Sequence, residues 1–473
     1  MKILFCQNIT YPFIGIMSIS AVLKEHGHKT GVKIFNISRP SARDLSEIED
    51  FKPEILAFPV YTGWEKSVIE FCKNFKKYHE IITILGGPHP TYCPEVLAND
   101  GIDHICVGEG EASFLRFVTS LQNGVPVNNI PGIWYKKDGA IVENGISELP
   151  DINSLPPMDV DVYCESSAKI KELTHREFSL NRGCPYRCTY CNEPSLHKLY
   201  GGRNVRSKTP ENAVKEILRV YNKYPFKSCA FTSDNFFLSR PFLLEFLEIF
   251  KARVNVPFYC QMRVELVTPE IARLLKEANC HMVTIGIESG SSRIRKDILG
   301  REMNDDNIIK ASRCLQAAGI SINTNNMVGM PSEDIEEAWD TVLLNAKIKP
   351  TTTWCSIFQP YPKSELSDSL IAQGLITRED LNGIPSSYFK KSILTAEKMY
   401  QFINLHRLFY LAVKHPKFAF IIKHLVKTPP PLNRIYDIFF FFSFCTYVKN
   451  AYRKSFLSAF KTTFFNAMEA LGS

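Results

Sequence analysis

The sequence predicts an α/β protein: an N-terminal doubly wound parallel sheet, then a partial (β/α)6 barrel, then a helical C-terminal region. Short, almost continuously apolar runs alternate with amphipathic runs over residues 1–125 and again over residues 173–366. This is the pattern of parallel strands covered by helices on both faces. Six such pairs in the second stretch are too few for a closed eight-stranded barrel. We therefore expect four regions, namely 1–125, a connector at 126–172, 173–366 and a helical region at 367–473.

The elements of the first region follow from local signals. Its predicted strands are separated by helical runs, of which one has Ser41 as a plausible N-cap and another ends at Gly27. In the connector, a hairpin is predicted to turn at Asp138-Gly139. The strands predicted for the first region are KILFCQ, KTGVKIF, EILAFPV, IITILGG and HICVGE.

The second region contains six further predicted strands. Helices between them are marked by hydroxyl residues at Thr209, Thr268 and Ser332, with proline following in the first two cases. In barrels of this kind the chemistry lies on loops at the carboxyl ends of the strands. The six strands are EFSLNRG, SCAFTSD, PFYCQMR, MVTIGIES, INTNNMVG and TWCSIFQP.

Composition excludes several classes of protein. At 473 residues, with 45% hydrophobic and 22% charged residues, the chain is neither disordered nor collagen-like. Its 14 cysteines are spread along a chain that opens MKILFCQN, with no apparent secretory leader. We therefore expect a cytoplasmic protein whose cysteines are thiols or metal ligands.

Basic charge is concentrated in the tail. Residues 390–473 hold 13 Lys and Arg against 3 acidic residues, whereas the whole chain carries only +7. The same tail contains a phenylalanine run at 439–442. Two interpretations remain open: a helical lid that packs phenylalanines on the barrel with its lysines solvated, or an amphipathic surface that meets anionic lipid at the inner face of the membrane. Nucleic acid is disfavoured, because no RNA- or DNA-binding module accompanies the charge.

The strongest signal is a loop with three cysteines, Cys184, Cys188 and Cys191, after the first predicted barrel strand. A tetrahedral zinc site needs a fourth ligand, and His197 lies six residues further on. Three thiolates alone suit a cubane iron–sulfur cluster with one open iron. A structural iron–sulfur or zinc protein therefore remains an alternative to an enzyme at this point.

The cysteine loop resembles the CxxxCxΦC signature of the radical S-adenosylmethionine superfamily, with Tyr190 as the aromatic residue before the last cysteine. The resemblance covers 173–366, because the loops after the later strands also match the family in order. It implies a [4Fe–4S] cluster on the three cysteines, with S-adenosylmethionine bound to the open iron. The residues that it implies around S-adenosylmethionine are Tyr190, Asn192, Ser233, Asp234, Arg263, Glu288, Val328 and Gly329.

The first region resembles the cobalamin-binding domain of one large subclass of that superfamily. This implies cobalamin held between the two domains, near Thr62, Gly86, Gly87, His89 and Glu109 at the ends of the predicted strands. Each of these loops is also compatible with ordinary turn chemistry. The sequence departs from the family in one respect: the loop after the first strand, residues 7–12, lacks the histidine of the DxHxxG motif that ligates cobalt. We expect cobalamin to bind without a histidine ligand.

The activity implied by the resemblance is reductive cleavage of S-adenosylmethionine to a deoxyadenosyl radical, which takes hydrogen from an unactivated carbon. Methylcobalamin then donates a methyl group, which makes the protein a C-methyltransferase of a small molecule or lipid. A radical rearrangement, cyclisation or coupling without methylation is the runner-up. The resemblance also implies a low-potential electron donor, a ferredoxin or flavodoxin.

Overall fold

The computed structural model describes residues 1–233, 235–386, 391–394, 398–451, 455–457, 459–461 and 463. The expected Asp234 lies outside these residues. The chain forms two compact units, residues 1–173 and residues 174–467. The segment 126–172 therefore lies within the first unit.

The first unit is built on a seven-stranded sheet of order β2-β1-β3-β4-β5-β6-β7. Strands β1 to β5 are parallel, and β6 and β7 add an antiparallel edge. The strands are β1 Lys2–Gln7, β2 Lys29–Ile34, β3 Ile55–Pro59, β4 Ile82–Gly86, β5 His104–Cys106, β6 Ile133–Lys137 and β7 Ala140–Val142. The helices are α1 Ile14–Glu25, α2 Ala42–Phe51, α3 Glu65–Phe75, α4 Pro88–Tyr92, α5 Glu111–Gln122, α6 Asp161–Cys164 and α7 Ala168–Lys171.

This sheet confirms the predicted doubly wound fold. Because β1 pairs with both β2 and β3, the strand order reverses between β1 and β3. In open α/β sheets ligands bind outside the carboxyl ends of the strands at such a reversal. The predicted N-cap at Ser41 is confirmed, since its hydroxyl accepts the Asp44 N–H in a capping box. The hairpin is confirmed too, with Asp138 and Gly139 both at positive φ.

The second unit contains a six-stranded parallel sheet of order β15-β14-β13-β12-β11-β8, as the sequence predicts for a partial barrel. Its edge strands, β8 and β15, have no pairing with one another among the described residues, so the sheet is open there. The strands of this unit are β8 His175–Phe178, β9 Asn181–Arg182, β10 Arg206–Ser207, β11 Ser228–Phe231, β12 Phe258–Met262, β13 Cys280–Glu288, β14 Ser321–Val328 and β15 Thr352–Ile357. The helices are α8 Glu193–Leu199, α9 Pro210–Lys223, α10 Arg240–Arg253, α11 Pro269–Glu277, α12 Asp305–Ala317, α13 Ile335–Ile348, α14 Glu365–Ala372, α15 Met399–Lys414, α16 Ala419–Leu425 and α17 Tyr436–Ala451.

Two of the three predicted hydroxyl caps are confirmed. The Thr209 and Thr268 hydroxyls accept N–H groups in the first turns of α9 and α11. The third is wrong. Helix α13 begins after Asp334, whose carboxylate accepts the Glu337 N–H, whereas Ser332 lies two residues earlier at φ 58°. A carboxylate caps a helix as well as a hydroxyl does, and it also interacts favourably with the helix dipole.

The C-terminal helices pack on the barrel. Helix α15 buries Phe402, Leu405 and Phe409 against Trp339 of α13 and Cys355 of β15. Among the helices that the structure describes, none is both long enough and apolar enough to cross a bilayer.

Candidate functional site

The three cysteines lie on the loop between β9 and α8. Cys188 is buried, and Cys184 and Cys191 are partly exposed. Glu193, the first residue of α8, organises the loop: its carboxylate accepts the Cys184 N–H at 3.1 Å, and its own N–H points at the Cys191 sulfur at 3.5 Å. Burial raises the pKa of the Cys191 thiol to about 12, and the nearby charges of Glu193, Cys188 and Cys184 add to the effect. A bound metal centre reverses this balance, because thiolates ligate and thiols do not.

Arg263, immediately after β12, reaches the cysteine loop. One terminal nitrogen of its guanidinium lies 3.6 Å from the Cys188 sulfur, and the other donates to Glu265 at 2.6 Å. Its guanidinium carbon sits 3.8 Å from the ring centroid of Tyr186, in cation–π contact. The Arg263 Nε is buried and has no hydrogen-bond partner among the described residues. The side chain is thus held beside the cysteines with one donor still available.

A second arginine, Arg301, joins Tyr190 to Glu288. It donates to the Tyr190 hydroxyl at 3.2 Å, to Glu288 at 3.4 Å and to the Gly286 carbonyl at 2.8 Å. Burial raises the pKa of Glu288, and the Arg301 guanidinium opposes that shift. The Arg301 Nε is also buried without a partner among the described residues. Arg301 and Glu288 thus form a buried charged pair, and one donor of that pair is available to a polar ligand.

The end of β13 is shaped to bring Glu288 inward. The pairing with β14 shifts register between Gly286 and Glu288, and Glu288 itself has φ 67°. A Cβ on Gly286 would come within 2.3 Å of the Glu288 carboxylate, so a larger residue there would displace that carboxylate. A bulge at a strand end re-aims the following side chain.

The loop after β14 is held by a carboxylate. The N–H groups of Gly329 and Met330 donate to Glu333 at 2.7 and 3.0 Å, and Gly329 has φ 78°. Burial raises the pKa of Glu333 to about 8. Its other oxygen is buried without a partner among the described residues. Val328, just before this loop, is fully buried in the core beneath α15.

Two expected residues have structural partners. The Ser233 hydroxyl is buried and accepts the backbone N–H groups of Leu180 and Asn181 at 2.8 and 3.4 Å, which ties β11 to the end of β8. Asn192 donates to the Pro362 carbonyl at 2.7 Å. Both residues thus fix the backbone around the cysteine loop.

His197, considered as a fourth zinc ligand, has a partner of its own. Its Nδ1 lies 2.6 Å from the Asn204 side-chain oxygen. Within the part of the chain that the structure describes, no three His, Cys, Asp or Glu side chains are gathered tightly enough to coordinate a single ion.

In the first unit, the expected residues line the carboxyl edge of the sheet. The Thr62 hydroxyl is 3.2 Å from Nδ1 of His89, a buried side chain whose pKa is lowered by burial. Gly87 has φ 95°, and a Cβ there would meet the Val60 backbone at 3.2 Å. Gly86 ends β4, and Glu109 lies half-buried after β5. Thr62, Gly87 and His89 are therefore brought together.

The loop after β1 is closed by Gln7. This buried side chain donates to the Ile9 and Tyr11 carbonyls at 2.6 and 2.8 Å and accepts the Tyr163 hydroxyl at 2.5 Å. The Asn8 side-chain oxygen is buried without a partner among the described residues.

Four aromatic rings lie beside this loop at the β1–β3 reversal. Phe13 stacks on Tyr61 at 5.6 Å between centroids, and Tyr11 and Trp64 adjoin them. Tyr11 is 38% exposed and Tyr61 is 41% exposed. We call Tyr11, Phe13, Tyr61 and Trp64 the aromatic platform. Sequence reasoning missed it, because its members come from two loops some fifty residues apart.

Arg301, Glu333 and Glu193 were missed as well. Nothing in the sequence around Arg301 distinguishes it from a surface arginine. Glu333 had a signal, since it is a carboxylate four residues after Gly329, but it lies next to the predicted helix start at Ser332.

Comparisons with known proteins agree with both units. A model of the radical SAM superfamily matches residues 178–344, and a model of the B12-binding domain matches residues 6–118. The chain therefore contains a B12-binding domain followed by a radical SAM domain. The cysteine loop, Arg263, Glu288 and Gly329 all fall within the radical SAM domain, and Thr62, Gly87 and His89 fall within the B12-binding domain.

Proteins similar to this chain match it over most of its length. An uncharacterized methyltransferase of Pyrococcus horikoshii is 25% identical over 375 residues, covering 78% of this chain and 80% of the relative. Cytidylyl-2-hydroxyethylphosphonate methyltransferase of Streptomyces wedmorensis is 24% identical over 435 residues, with 78% and 80% covered. The radical S-adenosylmethionine methyltransferase TsrM of Kitasatospora setae, solved with cobalamin and a [4Fe–4S] cluster, has a TM-score of 0.67 at 16% identity, with 79% of this chain and 75% of TsrM covered. Because the identity is only 16%, the similarity to TsrM supports the fold alone.

Proposed function

We propose that this protein is a cobalamin-dependent radical S-adenosylmethionine enzyme that methylates an unactivated carbon of a small molecule or lipid. One observation carries the proposal. Within the barrel, the cysteine loop lies against Arg263, and the loop's Tyr190 reaches Arg301 and Glu288, so thiols and buried charges from separate strand ends meet in one place.

The cysteine loop fits a cubane cluster. Cys184, Cys188 and Cys191 would hold three irons, and the Arg263 guanidinium, with a terminal nitrogen 3.6 Å from the Cys188 sulfur, would stabilise the added negative charge. Such a cluster, when bound, supplies the electron that cleaves S-adenosylmethionine to a deoxyadenosyl radical. The chain's own contribution is to position the substrate and to exclude water.

S-adenosylmethionine would be held by the strand-end residues. Glu288 and Arg301 offer a carboxylate and a free Nε to polar groups of the ligand, while Glu333 keeps the Gly329 loop in its left-handed turn. Tyr190, Asn192, Ser233 and Val328 fix the backbone or packing around these groups, and Asp234 would bind the methionine amino group. A structural cluster would need none of these residues.

Cobalamin fits the carboxyl edge of the B12-binding domain. The half-exposed aromatic platform, the unsatisfied Asn8 oxygen and the glycine turn at Gly86 and Gly87 lie where a doubly wound sheet binds its ligand. Thr62, His89 and Glu109 would contact the cofactor from the neighbouring loops. When bound, cobalamin supplies the methyl group that the reaction transfers. Both relatives named above are called methyltransferases, which favours methylation over rearrangement.

The test separates methylation from other radical chemistry. Protein purified without oxygen, supplied with cobalamin and reduced by a ferredoxin or flavodoxin, should release deoxyadenosine and S-adenosylhomocysteine from S-adenosylmethionine. Deoxyadenosine without S-adenosylhomocysteine would overturn methylation and favour rearrangement or coupling. Release of neither compound would favour the alternative that the cysteines hold a structural iron–sulfur or zinc site. A lipid substrate is the finer alternative that the phenylalanine run of the basic C-terminal tail favours, and labelled methyl transfer to extracted lipids would identify it.

A further inference from the structure

The C-terminal helices expose an unusual number of apolar side chains. Eighteen large hydrophobic residues are exposed in the described part of the chain, and nine of them lie between residues 418 and 442. Isolated exposed apolar residues are ordinary, but a contiguous group marks an interaction site. We call this group the C-terminal apolar surface: Phe418, Phe420, Ile421, Leu425, Leu432, Ile435, Ile438, Phe439 and Phe442.

These residues are presented by a fixed framework. Ile422, Val426 and Tyr436 anchor the segment in the core formed with α13 and α15. The buried Asn404 side chain of α15 donates to the Val426 and Thr428 carbonyls, both at 2.8 Å. The apolar side chains therefore point outward from a packed, hydrogen-bonded scaffold.

The phenylalanine run divides between two environments. Phe440, Phe444 and Tyr447 contact the ring of Trp354 on β15, at 5.4 to 6.2 Å between centroids. Ile435, Ile438, Phe439 and Phe442 recur at the spacing of one helical face, and all four are exposed. The packed face corresponds to the lid interpretation of the sequence, and the exposed face is left for a partner.

The charges carried by residues 399–451 are almost all positive, and among them Lys423 of α16 pairs with Glu336 of α13. Asp437 is the sole acidic residue between 399 and 451, and it pairs with Arg407 at 2.8 Å. Lys417, Lys427 and Arg434 are exposed and form no ion pair among the described residues. Protein–protein interfaces are depleted in lysine at their cores, whereas surfaces that lie on membranes combine phenylalanine and leucine with lysine and arginine.

We propose that the C-terminal apolar surface docks on an anionic lipid bilayer. Phe420, Ile421, Phe439 and Phe442 enter the headgroup region, and Lys417, Lys427 and Arg434 contact anionic headgroups. No spanning helix is needed, because the binding is interfacial. The proposal does not depend on the reaction catalysed by the barrel.

The test is co-sedimentation of the full-length protein with vesicles. We expect binding to phosphatidylcholine vesicles containing phosphatidylglycerol, weaker binding to phosphatidylcholine alone, and loss of binding as salt increases. The triple variant K417Q/K427Q/R434Q should bind anionic vesicles about 100-fold more weakly. The matched control K215Q/K251Q/K310Q removes three exposed lysines elsewhere and should bind like the wild type.

Apolar variants test the other half of the proposal. F420S/F439S should lower binding to anionic vesicles, whereas L343S/L375S, which alters two exposed leucines elsewhere, should not. Unchanged cofactor content and unchanged melting show that each variant is folded. Equal binding of the K417Q/K427Q/R434Q variant and its control would overturn the proposal. A dimer in solution that F420S/F439S dissociates, with no vesicle binding, would overturn it in favour of a self-interface.

Discussion

The two parallel sheets of this protein end in chemically opposite surfaces. The carboxyl edge of the barrel gathers thiols and buried charges, with Arg263 against Cys188 and Arg301 against Glu288. Apart from Glu65 and Glu109, the carboxyl edge of the N-terminal sheet gathers neutral groups, with the aromatic platform and a histidine whose pKa burial lowers. We therefore expect the same topology to support two kinds of binding: a charged site for a small ionic substrate, and an apolar site for a large planar ring.

The difference also explains how each edge is built. Buried charges need partners in the folded protein, and so the barrel edge is cross-linked by arginines from separate loops. Aromatic rings need only contact area, and the platform is assembled from two loops without ion pairs. The first kind of site is therefore sensitive to single substitutions and the second tolerates them better. Five predictions test that contrast, the first four in order of decreasing effect.

The largest effect is expected at the cysteine loop. Replacing Cys184, Cys188 or Cys191 with alanine should abolish iron binding and the release of deoxyadenosine, because three thiolates are the minimum for the cluster. If the two sheet edges bind their cofactors independently, the cysteine variants should retain as much cobalamin as the wild type. Iron, sulfide and cobalt analysis measures the cluster and the cobalamin, and chromatography of the reaction mixture measures deoxyadenosine. Cys314→Ala, at a partly exposed cysteine on α12, is the control; residual S-adenosylmethionine cleavage in the loop variants would refute the assignment.

The next effect is expected at the buried pair. Arg301→Met leaves Glu288 buried without its cation, and such losses cost about 3–5 kcal/mol of stability. Arg253→Met removes an exposed pair with Glu211, at 2.7 Å, and should cost about 1 kcal/mol or less. Denaturant unfolding of both variants measures the difference. The double variant R301M/E288L should recover part of the stability and still fail to cleave S-adenosylmethionine. Full activity in the double variant would make the pair purely structural.

Much of this architecture is predictable from the sequence. The strands and most helix starts follow from apolar periodicity and capping residues such as Ser41 and Thr209. The cysteine loop is predictable because its ligands are adjacent in the chain. Arg301, thirteen residues after Glu288, is not, because its role depends on a bulge that turns Glu288 inward. The platform depends on strand order, which the sequence pattern does not specify.

A smaller effect is expected on the pH dependence of the protein's stability, through Glu333. Its pKa is raised from 4.5 to about 8 by burial, so the folded protein holds this proton more tightly than the unfolded chain does. Stability from this group is therefore present at low pH and lost as pH rises towards 8. Between pH 6 and 8 the loss should be roughly 2 kcal/mol. Glu333→Gln should flatten the dependence of the melting temperature on pH, whereas the exposed Glu248→Gln should follow the wild type. Parallel profiles for all three proteins would contradict the prediction.

The smallest effect is expected at the aromatic platform. Tyr61→Ala should weaken cobalamin binding about tenfold by removing a half-exposed ring, and it should leave iron content unchanged. Tyr78→Ala, at a tyrosine 84% exposed in the same unit, is the matched control. Equal affinities for the two variants would mean that cobalamin does not rest on the platform.

The same edge predicts how cobalt is ligated. Gln7 and Tyr163 close the loop in which the family places its histidine, and the His89 side chain is buried, with 6% of its surface exposed. Burial raises the pKa of Tyr61, so its phenol stays neutral and is a poor ligand. We therefore expect the electron paramagnetic resonance spectrum of bound cob(II)alamin to lack splitting from an axial nitrogen, in the wild type and in His89→Ala alike. Nitrogen splitting that disappears in His89→Ala would show instead that His89, at the carboxyl edge of the N-terminal sheet, ligates cobalt. The contrast between the two sheets would then rest on the barrel's charges alone.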